Sequence, residues 1–207
     1  VEAAGDLIRA VEAAGGDAIL RVPVGDDATL KRALDRGARS IMVPMVNDAA
    51  TARQVATACR YPPLGRRGYA APIVRASGFG ETADYRATAH DDLLLMAQIE
   101  HVSAVDDLAA IMATPGIDMG FVGPNDLAGS IGLLEQLEHP DVLAQLERIE
   151  AVAKAEGRML GTITGQGRGW KALERLGYRL LIGPNDISLL TGAAHAAAAD
   201  RDREMGS

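Results

Sequence analysis

The chain has 207 residues, 48% of them hydrophobic, with a formal net charge of −7, so it can bury one substantial core as a single domain, 1–207. This composition excludes a fibrous or disordered protein, and the sequence has no apolar run near the ~18 residues that a membrane span needs. Its 21 lysine and arginine residues are scattered and its only cysteine is Cys59, so we expect a cytoplasmic protein with neither a nucleic-acid partner nor an internal disulfide.

Helical and strand-like segments alternate along the chain. The first has apolar residues at helical spacing and ends at Gly15-Gly16, which predicts an amphipathic helix containing Val1, Ala4, Leu7, Ile8 and Val11. A short apolar run before Pro23 predicts a first strand. Five further strands are predicted at 39–45, 93–99, 117–122, 158–163 and 178–182, and six further helices at about 26–37, 48–59, 103–113, 140–156, 168–176 and 186–199.

Nearly continuous apolar strands separated by helices are typical of a parallel sheet that is covered by its crossover helices. We therefore predict an α/β fold, a TIM (β/α)8-barrel. Six strands and seven helices are visible where a closed barrel has eight of each, so we expect about two strands and one helix ahead of Val1. An open doubly wound sheet is the competing architecture, but Gly165-Gln-Gly167-Arg-Gly169 lacks the spacing of its phosphate-binding fingerprint.

Two segments depart from the alternation. Residues 60–92 contain Tyr61-Pro-Pro-Leu-Gly-Arg-Arg-Gly68 and then a polar run, and loops of this length are usually functional or disordered. We interpret 60–92 as a strand-to-helix insertion at the barrel mouth, either an active-site lid or a subunit contact. Within it, Arg75 could meet a substrate carboxylate or lie in solvent or at that contact. The alanine-rich end, 186–207, predicts a C-terminal docking helix and tail.

Polar side chains follow two of the apolar strands. Gln98 and Glu100 share a face at the end of one strand, and Asp126 follows the next strand, so the two carboxylates can approach each other at the mouth. Such a pair repels itself unless a cation lies between, and oxygen ligands favour Mg²⁺ or Mn²⁺ over zinc. The alternative is structural: Glu100 pairs with an arginine and Asp126 caps the following helix.

Arg21 ends the first predicted strand and faces the same mouth. A fixed guanidinium there could neutralise an enolate or bind a carboxylate. Its structural alternative is a salt bridge to one of the two carboxylates.

Five segments, in this order, carry a family resemblance. They are similar to segments of the class II pyruvate-dependent aldolases of the HpcH/HpaI aldolase and citrate lyase family, and together they span nearly the whole chain. The segments are Leu20-Arg-Val-Pro23, Ile41-Met-Val-Pro-Met-Val46, Tyr61-Pro-Pro-Leu-Gly-Arg-Arg-Gly68, Gln98-Ile-Glu100 and Gly123-Pro-Asn-Asp-Leu127.

The resemblance implies a barrel of the phosphoenolpyruvate/pyruvate type and a role for each matching residue. Glu100 and Asp126 would bind a divalent metal, Mg²⁺, Mn²⁺ or Co²⁺, which chelates pyruvate, and Arg21 would stabilise the pyruvate enolate. Asp35 would act catalytically in the site of a neighbouring subunit, which implies a homo-oligomer, commonly a hexamer. The substrate-binding residues would be Arg21, Gln98, Gly123, Pro124, Asn125 and Asp126.

The activity implied is reversible cleavage of a 4-hydroxy-2-oxo acid into pyruvate and an aldehyde. The family also has an Asp and a Glu-His motif that assist proton transfer, and no histidine of this sequence matches it; the four are His90, His101, His139 and His195. Two alternatives therefore stay open. One is a 3-hydroxyacyl-CoA lyase of the citrate or malyl-CoA type, for which no cluster of basic groups is evident. The other is a non-catalytic subunit that binds pyruvate and metal.

Overall fold

The computed structural model describes residues 2–165 and 167–206. Its strands form one six-stranded sheet in which each strand pairs in parallel with the next along the chain. All six predicted strands are confirmed, and so is the α/β fold with its parallel sheet. The strands are β1 Ile19–Arg21, β2 Ser40–Val43, β3 Leu94–Ile99, β4 Met119–Val122, β5 Met159–Ile163 and β6 Tyr178–Ile182.

Helices follow the strands as the alternation predicted. In the described part of the chain they are α1 Ala4–Ala13, α2 Asp27–Asp35, α3 Ala49–Ala58, α4 Tyr85–Thr88, α5 Val102–Asp106, α6 Leu108–Ala113, α7 Pro124–Ser130, α8 Pro140–Ala155, α9 Trp170–Arg175 and α10 Asp186–Met205. Val1, Gln166 and Ser207, which the predicted first helix, glycine-rich run and tail include, lie outside the described residues. The single helix predicted at 103–113 is two helices, α5 and α6, which meet at Asp107.

Polar side chains fix where several helices begin. Asp26, Asp48 and Asn185 each accept a hydrogen bond from the backbone N–H three residues later, at 2.8, 2.7 and 2.7 Å. A cap of this kind stabilises a helix by about 1 kcal/mol because it satisfies an N–H that the helix itself leaves free. The transition from strand to helix is thus encoded locally after β1, β2 and β6.

The two faces of the sheet are packed differently. One face, which includes Leu20, Ile41 and Leu95, belongs to the main core under the helices. The other carries a row of methionines on four neighbouring strands, in register with one another: Met42, Met96, Met119 and Met159. Because side chains alternate along a strand, Gln98 lies on the methionine face, two residues beyond Met96. The methionine face therefore continues to Gln98 near the carboxyl edge, which is the edge at which all six strands end.

Segment 60–92 lies at the opposite edge from the predicted one. It follows α3 and precedes β3, so it is a helix-to-strand connection at the edge where the strands begin. It lines a cavity of about 500 Å³ together with Ala38 and Leu93, which stand just before β2 and β3. The mouth position predicted for a lid is therefore corrected, whereas a subunit contact stays a prediction.

The last helix, α10, has no buried residue over Asp186–Met205. Ile187, Leu189 and Leu190 are more than half exposed there. The predicted docking role of 186–207 stays a prediction. Within residues 2–165 and 167–206, every helix is too short or too polar to cross a lipid bilayer.

Candidate functional site

The predicted site residues meet at the carboxyl edge of β1 to β4. Arg21 is the last residue of β1, and Glu100 follows β3 directly. Asp126 lies in the first turn of α7, which begins after β4. Since β3 and β4 are neighbours, the sheet places the two carboxylates side by side, as the sequence predicted.

Gln98 links the arginine to the buried carboxylate. Arg21 Nε donates to Gln98 Oε1 at 2.8 Å, and Gln98 Nε2 donates to Glu100 Oε2. Gln98 is 7% exposed and Glu100 is 2% exposed. Arg21 therefore has a fixed orientation at the mouth without neutralising either carboxylate by direct contact.

The second oxygen of Glu100 is held by the backbone of another strand. Met45, two residues after β2, donates its N–H to Glu100 Oε1 at 2.8 Å. Met45 has a φ of 54°, a left-handed conformation that is uncommon for a residue with a side chain. Sequence reasoning missed this contact, because the backbone conformation of a methionine cannot be read from its identity. The nearest signal was the segment Ile41–Val46, which was quoted for the family resemblance.

Burial raises the pKa of the Glu100 carboxyl, and the neighbouring Asp126 carboxylate raises it further. The Met45 N–H and the Arg21 charge act in the opposite direction but do not cancel the effect. A buried carboxylate beside a second one is a set of oxygen donors that suits a hard divalent cation. The donor set thus fits the metal that the sequence predicted.

The structural alternatives for these two carboxylates do not hold. Across residues 2–165 and 167–206, neither Glu100 nor Asp126 forms an ion pair. The N-cap of α7 is Gly123 rather than Asp126. The same residues contain no cluster of three or more His, Cys, Asp or Glu side chains placed around a metal position. Two carboxylates would therefore leave most of the coordination positions of a cation to water and substrate.

The turn Gly123-Pro-Asn-Asp is built closely around Glu100. A Cβ on Gly123 would lie 2.9 Å from Glu100 Cβ and 3.1 Å from Gln98 Nε2, so only glycine fits. Gly123 donates its own N–H to Ile99 O at 3.0 Å, and Pro124 has none to donate. The N–H groups of Asn125 and Asp126 are therefore the ones that the start of α7 leaves for a ligand.

Asp35 is not brought to this site within one chain. It is the last residue of α2, so it lies at the edge where β2 begins, opposite the carboxyl edge. There it accepts a hydrogen bond from Arg67 Nη2 at 2.9 Å and pairs with Lys31. A role for Asp35 in the site of a neighbouring subunit stays a prediction.

The other candidate residues lie outside the network. Arg75 pairs with Glu12 at 2.5 Å at the opposite edge. His101 caps α5, its Nδ1 accepting from the Ser103 N–H at 3.2 Å. Lys31, Lys154 and Lys171 all lie in helices.

Comparison with known proteins gives consistent matches. The model of the HpcH/HpaI aldolase/citrate lyase family matches residues 1–180. A hydroxypyruvate/pyruvate aldolase of Roseobacter denitrificans is 37% identical over 94% of this chain and 76% of its own length. A 2-keto-3-deoxy-L-rhamnonate aldolase of Klebsiella pneumoniae is 40% identical over 72% of this chain, a match that spans 58% of that relative. The crystal structure of a family protein from Burkholderia cenocepacia superposes with a TM-score of 0.90 at 36% identity, covering 98% of this chain and 79% of that one.

Proposed function

The chain belongs to the HpcH/HpaI aldolase/citrate lyase family, and we propose that it is a carbon–carbon lyase that reversibly cleaves a 4-hydroxy-2-oxo acid into pyruvate and an aldehyde. The observation that carries this proposal is the adjacent pair Glu100 and Asp126, with Arg21 held beside it through Gln98. Relatives named as aldolases at 37% and 40% identity support the same reaction class.

Glu100 and Asp126 would hold Mg²⁺ or Mn²⁺. A cation bound there supplies a Lewis acid for the 2-oxo group and the carboxylate of the substrate. The Met45 N–H and the Gln98 amide keep the Glu100 oxygens in place, so the carboxylate does not have to reorganise when a ligand arrives. Burial of Glu100 also keeps bulk water away from this side of the site.

Arg21 and the start of α7 would position pyruvate. The Arg21 guanidinium stabilises the negative charge that develops on the 2-oxo oxygen as the enolate forms. The N–H groups of Asn125 and Asp126 donate hydrogen bonds to the substrate carboxylate at the positive end of the helix. In cleavage, the 4-hydroxyl would give its proton to a solvent base, the electron pair of the C3–C4 bond would pass into the pyruvate enolate as the aldehyde forms and leaves, and the enolate would take a proton from solvent at C3.

Asp35 would contribute to the site of a neighbouring copy, which makes the active protein a homo-oligomer. Its place at the opposite edge, on α2, suits contact with another copy rather than with its own mouth. We also assign the sheet to an eight-stranded barrel, of which β1 to β6 are six consecutive strands.

The repeated Gly-Pro-Asn-Asp sequence provides a matched test of the metal ligands. Asp126 and Asp186 end the two copies, but only Asp126 lies beside Glu100. Pyruvate release from a 4-hydroxy-2-oxo acid should require Mg²⁺ or Mn²⁺, should stop on chelation, and should fall at least about 100-fold in Asp126→Asn. Asp186→Asn should retain the activity. Metal-independent release, or equal losses in the two variants, would count against the proposal.

A further inference from the structure

Met45 occupies the rim between the two charged groups of the site. The sheet places β2 between β1 and β3, and Arg21, Met42 and Met96 lie in one register row across these strands. Met45 follows β2 at the same edge at which β1 ends with Arg21 and β3 leads to Glu100. Met45 therefore lies between Arg21 and Glu100 along this edge of the sheet.

The backbone conformation of Met45 is costly for a residue with a side chain. Its φ of 54° places the Cβ in a crowded region, a strain that glycine avoids. Three other described non-glycine residues have positive φ, and none of them directly follows a strand: Phe79 and Asp84 lie in segment 60–92, and Glu135 lies between α7 and α8. The hydrogen bond to Glu100 needs only an N–H, which every residue except proline provides.

The core does not explain the methionine either. The Met45 residue is 50% exposed, whereas its neighbours Pro44 and Val46 are buried. A large apolar side chain thus stands at the mouth, on a strained backbone, where neither the hydrogen bond nor the packing requires it. Strain of this kind at a functional site points to a role for the group that is held there.

We propose that Met45 determines specificity for the second substrate: its thioether side chain forms an apolar wall of the aldehyde subsite, selecting aldehydes with an aliphatic tail. The inference rests on the proposed aldolase function. Methionine is unbranched and polarisable, so one side chain can pack against tails of different shape. Arg21, Glu100 and Asp126 supply the polar contacts at the reacting end, and Met45 is the apolar surface beside them.

The test compares two aldehydes within each protein, because a ratio of kcat/KM cancels any loss common to both. In aldol addition of pyruvate with Mn²⁺, the wild type should prefer butyraldehyde to acetaldehyde by about 15-fold, since butyraldehyde has two more methylenes and each one removed from water is worth about fourfold. Met45→Gly keeps the N–H and relieves the strain, and its ratio should approach one. Met45→Gln keeps the length and the strain but not the apolar surface, so its ratio should also fall.

Phe79→Ala is the matched control, because Phe79 is an exposed apolar residue with positive φ in segment 60–92 at the opposite edge. Its ratio should equal that of the wild type. A ratio in Met45→Gly within twofold of an active wild type would overturn the role of Met45 and leave the aldolase proposal standing. A wild type with no metal-dependent aldol addition of either aldehyde would overturn both.

Discussion

Glu100 is the residue on which the chemistry of the site depends. It is 2% exposed and has an acidic neighbour, and its two oxygens receive hydrogen bonds from neutral donors, the Gln98 amide and the Met45 N–H. A buried carboxylate held in this way is costly unless a cation joins it. The arrangement therefore favours binding of a cation. Contacts from β3 and from the segment after β2 hold the Glu100 carboxylate in that position.

This preference predicts a pH dependence of metal stabilisation. Because the folded-state pKa of Glu100 is raised, its contribution to stability without metal is present below the unfolded pKa and is lost as pH rises through the folded pKa. Mn²⁺ binds the ionised pair, so the increase in Tm that it causes should be larger at about pH 7.5 than at about pH 5. Differential scanning fluorimetry measures both, and in Glu100→Gln the increase should be small at either pH. An equal increase at both pH values in the wild type would contradict the assignment.

At the scale of elements, the site depends on how closely α7 approaches β3. Gly123, which precedes α7, leaves no space for a Cβ beside Glu100 and Gln98. The helix begins with proline, so its first turn presents the Asn125 and Asp126 N–H groups at this close approach. The strand end and the helix start thus form one unit, and a small change at their junction should alter both stability and metal binding.

Gly123→Ala tests that junction. The added methyl group should lower the free energy of unfolding by about 1–3 kcal/mol and should weaken Mn²⁺ binding, because Glu100 must move. Gly129→Ala on the same helix is the control: its Cβ would meet the Leu134 side chain, with Cδ1 at 3.3 Å and Cβ at 3.9 Å, and Leu134 is 60% exposed and can yield. Denaturant unfolding and calorimetric Mn²⁺ titration measure the two effects. Equal free energies of unfolding and equal Mn²⁺ affinities in the two variants would show that the close contact at Gly123 supports neither stability nor metal binding.

The sequence predicted the elements whose signals are local. Six apolar runs became six strands, and Arg21, Gln98, Glu100 and Asp126 were found because each ends or follows one of them. The edge at which 60–92 lies was misplaced: the helix predicted at 48–59 is α3, so the segment that follows it is a helix-to-strand connection rather than a strand-to-helix one. The break at Asp107 depends on a distant contact, the hydrogen bond from the Ala49 N–H at 2.7 Å, and the Met45 contact likewise depends on another strand. Such long-range pairings leave no periodic trace in one sequence.

At the scale of the whole molecule, the two edges of the sheet differ in their exposed groups and so favour different partners, a small-molecule substrate at one edge and another protein at the other. The carboxyl edge carries the site, whereas the other edge carries Asp35, Arg67 and segment 60–92, with Tyr69, Ile73 and Phe79 more than 60% exposed. Exposed apolar side chains in such number are typical of a surface that contacts another protein. The proposed completion of the site by a second copy would account for this surface and for the position of Asp35 together.

Subunit complementation tests this arrangement. Asp35→Asn and Glu100→Gln should each be inactive alone as homo-oligomers. When the two chains are co-expressed, about one quarter of the sites should combine an intact Glu100 with an intact Asp35 from the neighbouring copy, and activity should return in that proportion. Mixed oligomers that stay inactive would show that Asp35 does not act between subunits.

The most direct test of the central claim is exchange of the pyruvate methyl protons with D₂O, followed by proton NMR, because enolate formation needs no aldehyde. With Mg²⁺ or Mn²⁺ present, the protein should catalyse exchange, and removal of the metal or the substitution Glu100→Gln should reduce the rate to that of the buffer. Exchange that proceeds unchanged without metal and in Glu100→Gln would contradict the account.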